Sequence, residues 1–176
     1  MNRESNIFLV GPLGAGKSSV GKCLANSLKV DFYDIDRLIE QRTGVDLSWI
    51  FDVEGEDKFR ERETAVLQEI SKRSNIILAT GGGTVLSEEN RNLMKARGIV
   101  IYLKTELQQQ YKRTQFNKYN RPLLRGDNVK KRLQALADER GHLYREIADK
   151  EFITDNRAVR SVANEILRHI KEIKQM

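Results

Sequence analysis

The feature that most constrains the fold is a glycine-rich segment near the start of the sequence. Gly11-Pro12-Leu13-Gly14-Ala15-Gly16-Lys17-Ser18 matches the Walker A pattern G-x-x-x-x-G-K-[ST]. The apolar run Ile7–Val10 precedes it, and apolar residues recur at helical spacing after Lys17. A glycine loop between a strand and a helix can curl its backbone N–H groups around a phosphate, next to the positive end of the helix. We therefore predict a phosphate-binding loop, rather than a turn that spells the motif by chance.

Two side chains of this loop have predicted chemical roles. Lys17 is expected to reach the β- and γ-phosphates of a nucleotide, and the Ser18 hydroxyl to bind Mg²⁺. The motif alone therefore predicts a protein that binds a nucleoside triphosphate together with Mg²⁺.

Length and composition narrow the class of protein. We expect one domain, residues 1–176, because 176 residues are enough for one full core. No apolar run approaches the roughly 20 residues of a membrane span. The single cysteine, Cys23, and the lack of a signal-peptide layout favour a cytoplasmic protein. One cysteine and two histidines are too few for a zinc site.

The net charge of +6 leaves two classes of partner open. The basic residues are spread along the chain and do not alternate with aromatic residues as in a single-strand-binding platform. We therefore interpret the positive charge as serving phosphate and carboxylate ligands, with nucleic-acid binding as the alternative.

Predicted strands and helices alternate throughout, which indicates an α/β fold with a mostly parallel, five-stranded sheet flanked by helices. The predicted strands are Ile7–Val10, Val30–Tyr33, Asn75–Thr80, Ile99–Leu103 and Phe152–Thr154. The predicted helices are Lys17–Leu28, Arg37–Arg42 ending near Gly44, a short helix starting at Ser48, Glu56–Lys72, one capped by Ser87 that runs to Lys95, Asn128–Ala148, and Val159–Ile173.

One polar segment interrupts this alternation. Residues 114–128 contain Pro122 and Gly126, which disfavour a helix, and the segment carries Lys118, Arg121 and Arg125. Irregular segments of this length in compact domains are commonly functional. We predict a mobile lid over about residues 112–127 that closes on a phosphate, with a solvated surface loop as the alternative.

Two carboxylates follow the second predicted strand. In an extended chain, a spacing of two places Asp34 and Asp36 on the same face. At the carboxyl end of a parallel strand they would point into a ligand crevice. One could act through Mg²⁺, and the other could orient or deprotonate an acceptor hydroxyl. The alternative is that they cap the following helix.

Two arginines lie on or beside apolar helix faces. Arg60 flanks the stripe of the helix at 56–72, and Glu63 falls inside that stripe within reach of Arg60. Arg140 projects to the middle of the apolar stripe of the helix at 128–148. Because a buried arginine needs a partner, we predict that Arg60 binds a carboxylate in a cleft and that Arg140 binds a substrate anion. The alternatives are a structural ion pair for Arg60 and a protein carboxylate for Arg140.

Three glycines directly follow the strand at 75–80. Gly81, Gly82 and Gly83 allow positive φ or a close approach of a ligand, and their N–H groups could bind substrate oxygens or the γ-phosphate. A plain tight turn is the alternative.

Together these segments resemble the shikimate kinase family over nearly the whole chain. The resemblance rests on the Walker loop, Asp34-Ile35-Asp36, Phe59-Arg60 with Glu63, Gly81-Gly82-Gly83, Arg121-Pro122-Leu123-Leu124, and Arg140 with Leu143-Tyr144-Arg145. It implies a nucleoside-monophosphate-kinase-like P-loop fold with a lid, and ATP- and Mg²⁺-dependent phosphorylation of the 3-hydroxyl of shikimate.

The resemblance also implies roles for individual residues. Those implied to be catalytic are Lys17, Asp36 and Arg121, the last moving in with the lid. Those implied to bind ATP are Gly14, Ala15, Gly16, Lys17, Ser18, Ser19, Arg113, Arg121 and Arg157. Those implied to bind shikimate are Asp36, Arg60, Gly81, Gly82, Gly83 and Arg140. Mg²⁺ would be held by Ser18 and, through water, by Asp34. We expect a monomer that binds shikimate and ATP and neither nucleic acid nor membrane.

Three other functions share part of this pattern. A gluconate-type or nucleotide kinase has the same loop and lid, but a nucleobase acceptor needs an aromatic slot rather than two converging arginines. A GTP-binding regulatory protein needs Asn-Lys-x-Asp, and residues 117–120 end in Asn120 instead. A nucleic-acid-dependent ATPase would bind polynucleotide with a steep salt dependence.

Overall fold

The computed structural model describes residues 6–115, 122–126 and 128–175. Five strands form one sheet: β1 (Asn6–Val10), β2 (Asp31–Asp34), β3 (Ile76–Ala79), β4 (Gly98–Lys104) and β5 (Lys150–Ile153). Their order is β2-β3-β1-β4-β5, and every neighbouring pair is parallel. The predicted five-stranded parallel sheet is confirmed.

Helices connect the strands and cover both faces of the sheet. They are α1 (Lys17–Leu28), α2 (Ile35–Thr43), α3 (Leu47–Val53), α4 (Glu56–Ile70), α5 (Glu88–Arg97), α6 (Leu107–Gln115), α7 (Val129–Ile147) and α8 (Val159–Gln175). Short 3₁₀ helices cover Thr84–Leu86 and Pro122–Leu124. No helix in the described ranges combines the length and the apolar character that crossing a membrane requires.

The core lies in two layers, one on each face of the sheet. Every residue of β1 is buried, and its side chains alternate between the layers. Phe8 and Val10 pack in the layer formed with α2, α4, α5 and α7. Ile7 and Leu9 pack in the layer formed with α1 and α8. The central strands therefore consist of continuous apolar runs, as parallel strands buried on both faces do.

Local signals in the sequence set several helix ends. The Ser87 side chain accepts a hydrogen bond from the Asn90 N–H at the start of α5. Gly44 ends α2 in the left-handed conformation with φ 72°. Both predicted ends are confirmed.

One helix was not predicted. Residues 112–115, assigned to the lid from the sequence, belong to α6. Its apolar residues are few, and its buried face includes the polar residues Gln110 and Thr114. Residues 116–121 and 127 lie outside the described residues, so the mobile lid stays a prediction.

Candidate active site

Most of the predicted site residues meet in one cavity of about 470 Å³ at the carboxyl ends of β1, β2 and β3. Its phosphate side is lined by Gly14, Gly16, Lys17, Ser18, Ser19 and Arg113. The other predicted site residues in its lining are Asp34, Asp36, Arg60, Gly81, Gly82, Gly83 and Arg140. The carboxyl ends of neighbouring parallel strands are where open α/β sheets bind their ligands.

The glycine loop has the backbone that the motif requires. Gly11, Gly14 and Gly16 have φ values of 144°, 75° and 87°, which side chains other than glycine rarely adopt. Lys17 Nζ donates to the carbonyl oxygens of Gly11 at 2.7 Å and Pro12 at 2.9 Å. The lysine side chain thus lies against the loop that is expected to bind the phosphates. Ala15 is buried in the core and is not among the described residues that line the cavity.

Ser18 and Asp34 form an oxygen-rich pair beside the loop. Ser18 Oγ donates to Asp34 Oδ2, and Asp34 Oδ1 accepts from the Arg37 N–H at 3.3 Å. Asp34 therefore caps α2 with one oxygen, as the alternative proposed, and faces Ser18 with the other. Hydroxyl and carboxylate oxygens suit Mg²⁺, which commonly uses one or two such protein ligands together with phosphates and water. The donor set fits the ion.

The structure corrects the predicted geometry of the two aspartates. They do not share one face of an extended chain, because Asp36 lies in the first turn of α2. Both side chains still line the cavity, since the chain bends into the helix at the end of β2.

Asp36 has the electrostatic environment of a proton acceptor. Burial, the nearby Asp34 carboxylate and the Glu63 carboxylate raise the pKa of Asp36 from 3.8 to about 7, against the opposing effect of Lys17 and Arg60. A carboxyl group with a pKa near neutrality accepts a proton more readily than an ordinary aspartate does.

Arg60 is held by three neighbours on its own helix. Its guanidinium donates to Glu63 Oε2 at 2.9 Å and to Glu56 Oε1 at 3.0 Å, and it lies 5.2 Å from the centre of the Phe59 ring. The Glu63 side chain is 1% exposed and that of Arg60 is 21% exposed. The ion pair offered as the alternative is therefore present, and the same arginine also faces the cavity.

Arg140 is the more deeply buried of the two arginines, at 4% exposed. Its Nε donates to Glu139 Oε2 at 3.1 Å, but the Glu139 side chain is 51% exposed. A half-exposed neighbour is a weak partner for a buried guanidinium, and Arg140 lines the cavity. This arrangement leaves Arg140 suited to an anionic ligand.

Close packing, not positive φ, explains two of the three glycines. Gly81, Gly82 and Gly83 are absent from the described glycines with positive φ. A β-carbon on Gly81 would lie 2.4 Å from Glu63 Oε1, and one on Gly83 would lie 2.3 Å from Arg60 Nη2. The ion pair of α4 therefore packs directly against this backbone.

Known proteins are similar to this chain over most of its length. The shikimate kinase family model matches residues 13–171. The chain belongs to the shikimate kinase family. A shikimate kinase of Legionella pneumophila (strain Corby) is 53% identical over 94% of both chains. One from Vibrio parahaemolyticus is 51% identical over 98% of this chain and 99% of its own.

A solved structure supports the same assignment. The shikimate kinase of Acinetobacter baumannii in complex with shikimate superposes with a TM-score of 0.95 at 45% identity, covering 98% of this chain and 96% of its own. The predicted P-loop kinase fold is confirmed.

Two arginines implied by the family to contact ATP lie in different surroundings. Arg113, on α6, donates to the carbonyl oxygens of Gly14 at 2.9 Å and Thr154 at 2.8 Å, and it lines the cavity. Arg157 donates to Ile153 O at 3.1 Å and pairs with Glu165 at 2.6 Å. It is not among the described residues that line the cavity. Arg121, the third, lies outside the described residues.

One polar contact of the site was not predicted from the sequence. The sequence places Tyr144 only beside Arg140 in Leu143-Tyr144-Arg145 and predicts no contact for it, whereas in the structure its hydroxyl donates to Gly82 O. Burial raises the pKa of the Tyr144 hydroxyl, which keeps it protonated as a donor. Tyr144 lies one helical turn after Arg140, so the i, i+4 spacing could have indicated that it faces the same site.

An apolar wall was also not predicted. Leu47, Phe51, Phe59 and Leu123 line the cavity beside the arginines. They come from α3, α4 and the 3₁₀ helix Pro122–Leu124, which lies within the predicted lid; these segments are separate in sequence. Only the fold brings them together.

Proposed function

We propose that this chain transfers the γ-phosphoryl group of ATP to the 3-hydroxyl of shikimate. The observation that carries the proposal is that one cavity joins a Walker loop to two arginines, Arg60 and Arg140. The first arrangement suits a nucleoside triphosphate and the second a small carboxylic acid. Membership of the shikimate kinase family supports the choice of acid.

The acceptor side would bind shikimate by charge and by shape. Arg60 and Arg140 would bind its carboxylate, since guanidinium groups match carboxylates in charge and hydrogen-bond geometry. The backbone N–H groups of Gly81, Gly82 and Gly83 would bind oxygens of the acid. The apolar wall of Leu47, Phe51, Phe59 and Leu123 would exclude water from the bound acid.

Asp36 would hold the ring hydroxyls and accept the proton of the attacking one. Its raised pKa, about 7, supports this role, because the proton moves to a base of matched strength as the O–P bond forms. Phosphoryl transfer otherwise depends mostly on alignment and on positive charge around the transferred group.

The phosphate side would bind ATP through the loop N–H groups of residues 14–19 and through Lys17. Arg113 would lie beside the nucleotide, and Arg157 is proposed as a neighbour of adenine only from the family resemblance. Arg121 is proposed to enter with the lid and stabilise the transferring group. Ser18 and, through water, Asp34 would hold Mg²⁺, which when bound neutralises phosphate charge.

The remaining proposals concern domain organisation, oligomeric state, cellular location and nucleic-acid binding. We propose a single domain acting as a monomer in the cytoplasm, without nucleic-acid binding. A single sheet with two shared core layers supports the first of these.

The experiment is a measurement of ADP release with ATP and Mg²⁺ in the presence of shikimate, gluconate, AMP or no acceptor. Among these reactions, we expect fast ADP release only in the one that contains shikimate. Preference for gluconate or AMP would favour another small-molecule kinase. Tight GTP binding without acceptor phosphorylation would favour the regulatory protein.

A further inference from the structure

Thr84 is a buried residue behind the acceptor side of the cavity. It follows the three glycines, is 0% exposed, and is not among the described residues that line the cavity. Its Oγ1 donates a hydrogen bond of 2.6 Å to Glu63 Oε1. Thr84 therefore contacts the site through another residue.

The Glu63 carboxylate connects Thr84 to Arg60. Its other oxygen, Oε2, accepts from Arg60 Nη1 at 2.9 Å. With one oxygen bonded to a buried hydroxyl and the other to the guanidinium, the carboxylate plane is fixed from both sides. The direction in which Arg60 faces the cavity is thus linked to the hydroxyl behind it.

Thr84 is itself held by its surroundings. Its N–H donates to Gly81 O at 3.3 Å. Asn90 Nδ2 donates to Thr84 O at 3.1 Å and to Thr64 Oγ1 at 3.0 Å, which ties this turn to α4. The hydroxyl therefore has a defined position relative to Glu63.

The backbone at Gly81 leaves room for this contact. A β-carbon there would lie 2.4 Å from Glu63 Oε1 and 3.4 Å from Thr84 Oγ1. A larger residue would displace the carboxylate oxygen that accepts the Thr84 hydrogen bond. The first of the three glycines is thus needed by the hydrogen bond itself.

We propose that Thr84 is a positioning residue for the acceptor: through Glu63 it orients Arg60 toward the carboxylate of the bound acid. The proposal rests on the proposed function, in which Arg60 binds that carboxylate. It predicts that the Thr84 hydroxyl affects acceptor binding although it touches no substrate.

The size of the effect follows from what Thr84→Val removes. Hydrogen bonds to charged groups contribute strongly, but we expect Glu63 to stay buried and bonded to Arg60 both with and without the acceptor. Only the difference in the energy of this hydrogen bond between the free and the acceptor-bound chain changes the affinity for the acceptor. We therefore expect the KM for shikimate to rise about three- to tenfold, with kcat changing less than about twofold.

The variants are Thr84→Val, which is nearly isosteric, and Thr84→Ser, which restores the hydroxyl. The matched control is Thr43→Val at the end of α2, where the hydroxyl donates to Ile39 O at 2.8 Å away from the cavity. Steady-state kinetics give KM and kcat. The single tryptophan, Trp49, lies on α3, the helix that contributes Leu47 and Phe51 to the cavity lining, so its fluorescence is the probe for the Kd of shikimate without turnover.

A double-mutant cycle with Arg60→Ala separates positioning from a general structural role. If Thr84 acts through Arg60, Thr84→Val raises KM in the unmodified background and has no further effect in the Arg60→Ala background. A general loss of stability would lower the Tm and change KM equally in both backgrounds.

The proposal is supported if Thr84→Val weakens shikimate binding, Thr84→Ser restores it, Thr43→Val leaves it unchanged, and the cycle is non-additive. It is overturned if KM and Kd stay unchanged in Thr84→Val or if the effects add. Should Thr84→Val not fold, Thr84→Ala removes the same hydroxyl and is judged by the same outcomes. An unmodified chain that does not turn over shikimate refutes the proposed function and this inference together, whereas turnover with an unchanged Thr84→Val KM refutes the inference alone.

Discussion

A methyl group at Gly83 is a sharp perturbation of the proposed acceptor site. A β-carbon built there lies 2.3 Å from Arg60 Nη2, 2.4 Å from Nη1 and 2.5 Å from Cζ. Ordinary contacts of this kind are about 3.5 Å, so the guanidinium must move by about 1 Å or more. Because the clash is with the end of a flexible side chain, the backbone need not shift.

The magnitude follows from the contacts that the displaced guanidinium gives up. Hydrogen bonds to a charged group are worth roughly 1.5–3 kcal/mol, which corresponds to about 10- to 100-fold in an equilibrium constant. If Arg60 binds the carboxylate equally in the ground state and the transition state, this loss appears in KM while kcat is retained. We therefore expect Gly83→Ala to raise the shikimate KM about 10- to 100-fold.

The assay is ADP release at varied shikimate and saturating ATP, with the Tm measured in parallel. The control is Gly141→Ala on α7, where an added β-carbon meets no atom within 4 Å. That substitution should keep KM and stabilise the fold by up to about 1 kcal/mol, because alanine favours a helix more than glycine.

An unchanged KM in a folded Gly83→Ala variant would refute the reasoning, since the guanidinium would then have moved without consequence for the acceptor. A raised KM for ATP together with an unchanged KM for shikimate would mean that Arg60 contributes to ATP binding and not to acceptor binding.

The further predictions concern four other residues. Asp36→Asn should lower kcat at least about 100-fold, and in the unmodified chain kcat/KM should fall below pH 7 as Asp36, with its pKa of about 7, becomes protonated. The pKa of Asp36 in the folded chain, about 7, lies above its ordinary value of 3.8. Between these two pH values the ionised form of Asp36 becomes more populated as pH rises, and it increasingly destabilises the fold. Asp36→Asn should therefore raise the Tm more above pH 7 than near pH 4. Arg140→Ala should mainly raise the shikimate KM, by roughly 1.5–3 kcal/mol in binding, while Arg121→Ala should mainly lower kcat in the same assay. Tyr144→Phe should destabilise the fold by about 0.5–1.5 kcal/mol in denaturant unfolding, because it removes the hydrogen bond that the buried Tyr144 hydroxyl donates to the half-buried Gly82 carbonyl.

The sheet was predictable because its strands carry strong local signals. β1, β3 and β4 are continuous apolar runs between glycine or polar residues, a pattern that a surface segment cannot have. The alternation of these runs with amphipathic helices then fixes a parallel arrangement. Helix α6 escaped this reasoning because Leu107–Gln115 is mostly polar and owes its place to contacts such as Gln110 Nε2 with Thr105 O at 3.1 Å, which no local pattern encodes.

The site was predictable in its parts and less so in its connections. Arg140 and Glu63 could be identified because a charge in an apolar stripe requires a partner. The reason for Gly81 and Gly83 could not, since it depends on where α4 places its ion pair relative to the end of β3. The two carboxylates were expected to converge by strand alternation, whereas they converge because Asp34 ends β2 and caps the helix that contains Asp36.

That difference matters for the electrostatics of the base. Two carboxylates on an extended strand would lie in a shared, open row, with each free to be solvated. Here the turn into α2 places Asp36 where it is enclosed and near both Asp34 and Glu63, and those three influences raise its pKa despite Lys17 and Arg60. The same Glu63 that holds Arg60 thus also disfavours the charge on Asp36. Acceptor binding and base strength are therefore coupled through one buried carboxylate: a substitution that removes the charge of Glu63 should both loosen Arg60 and lower the pKa of Asp36.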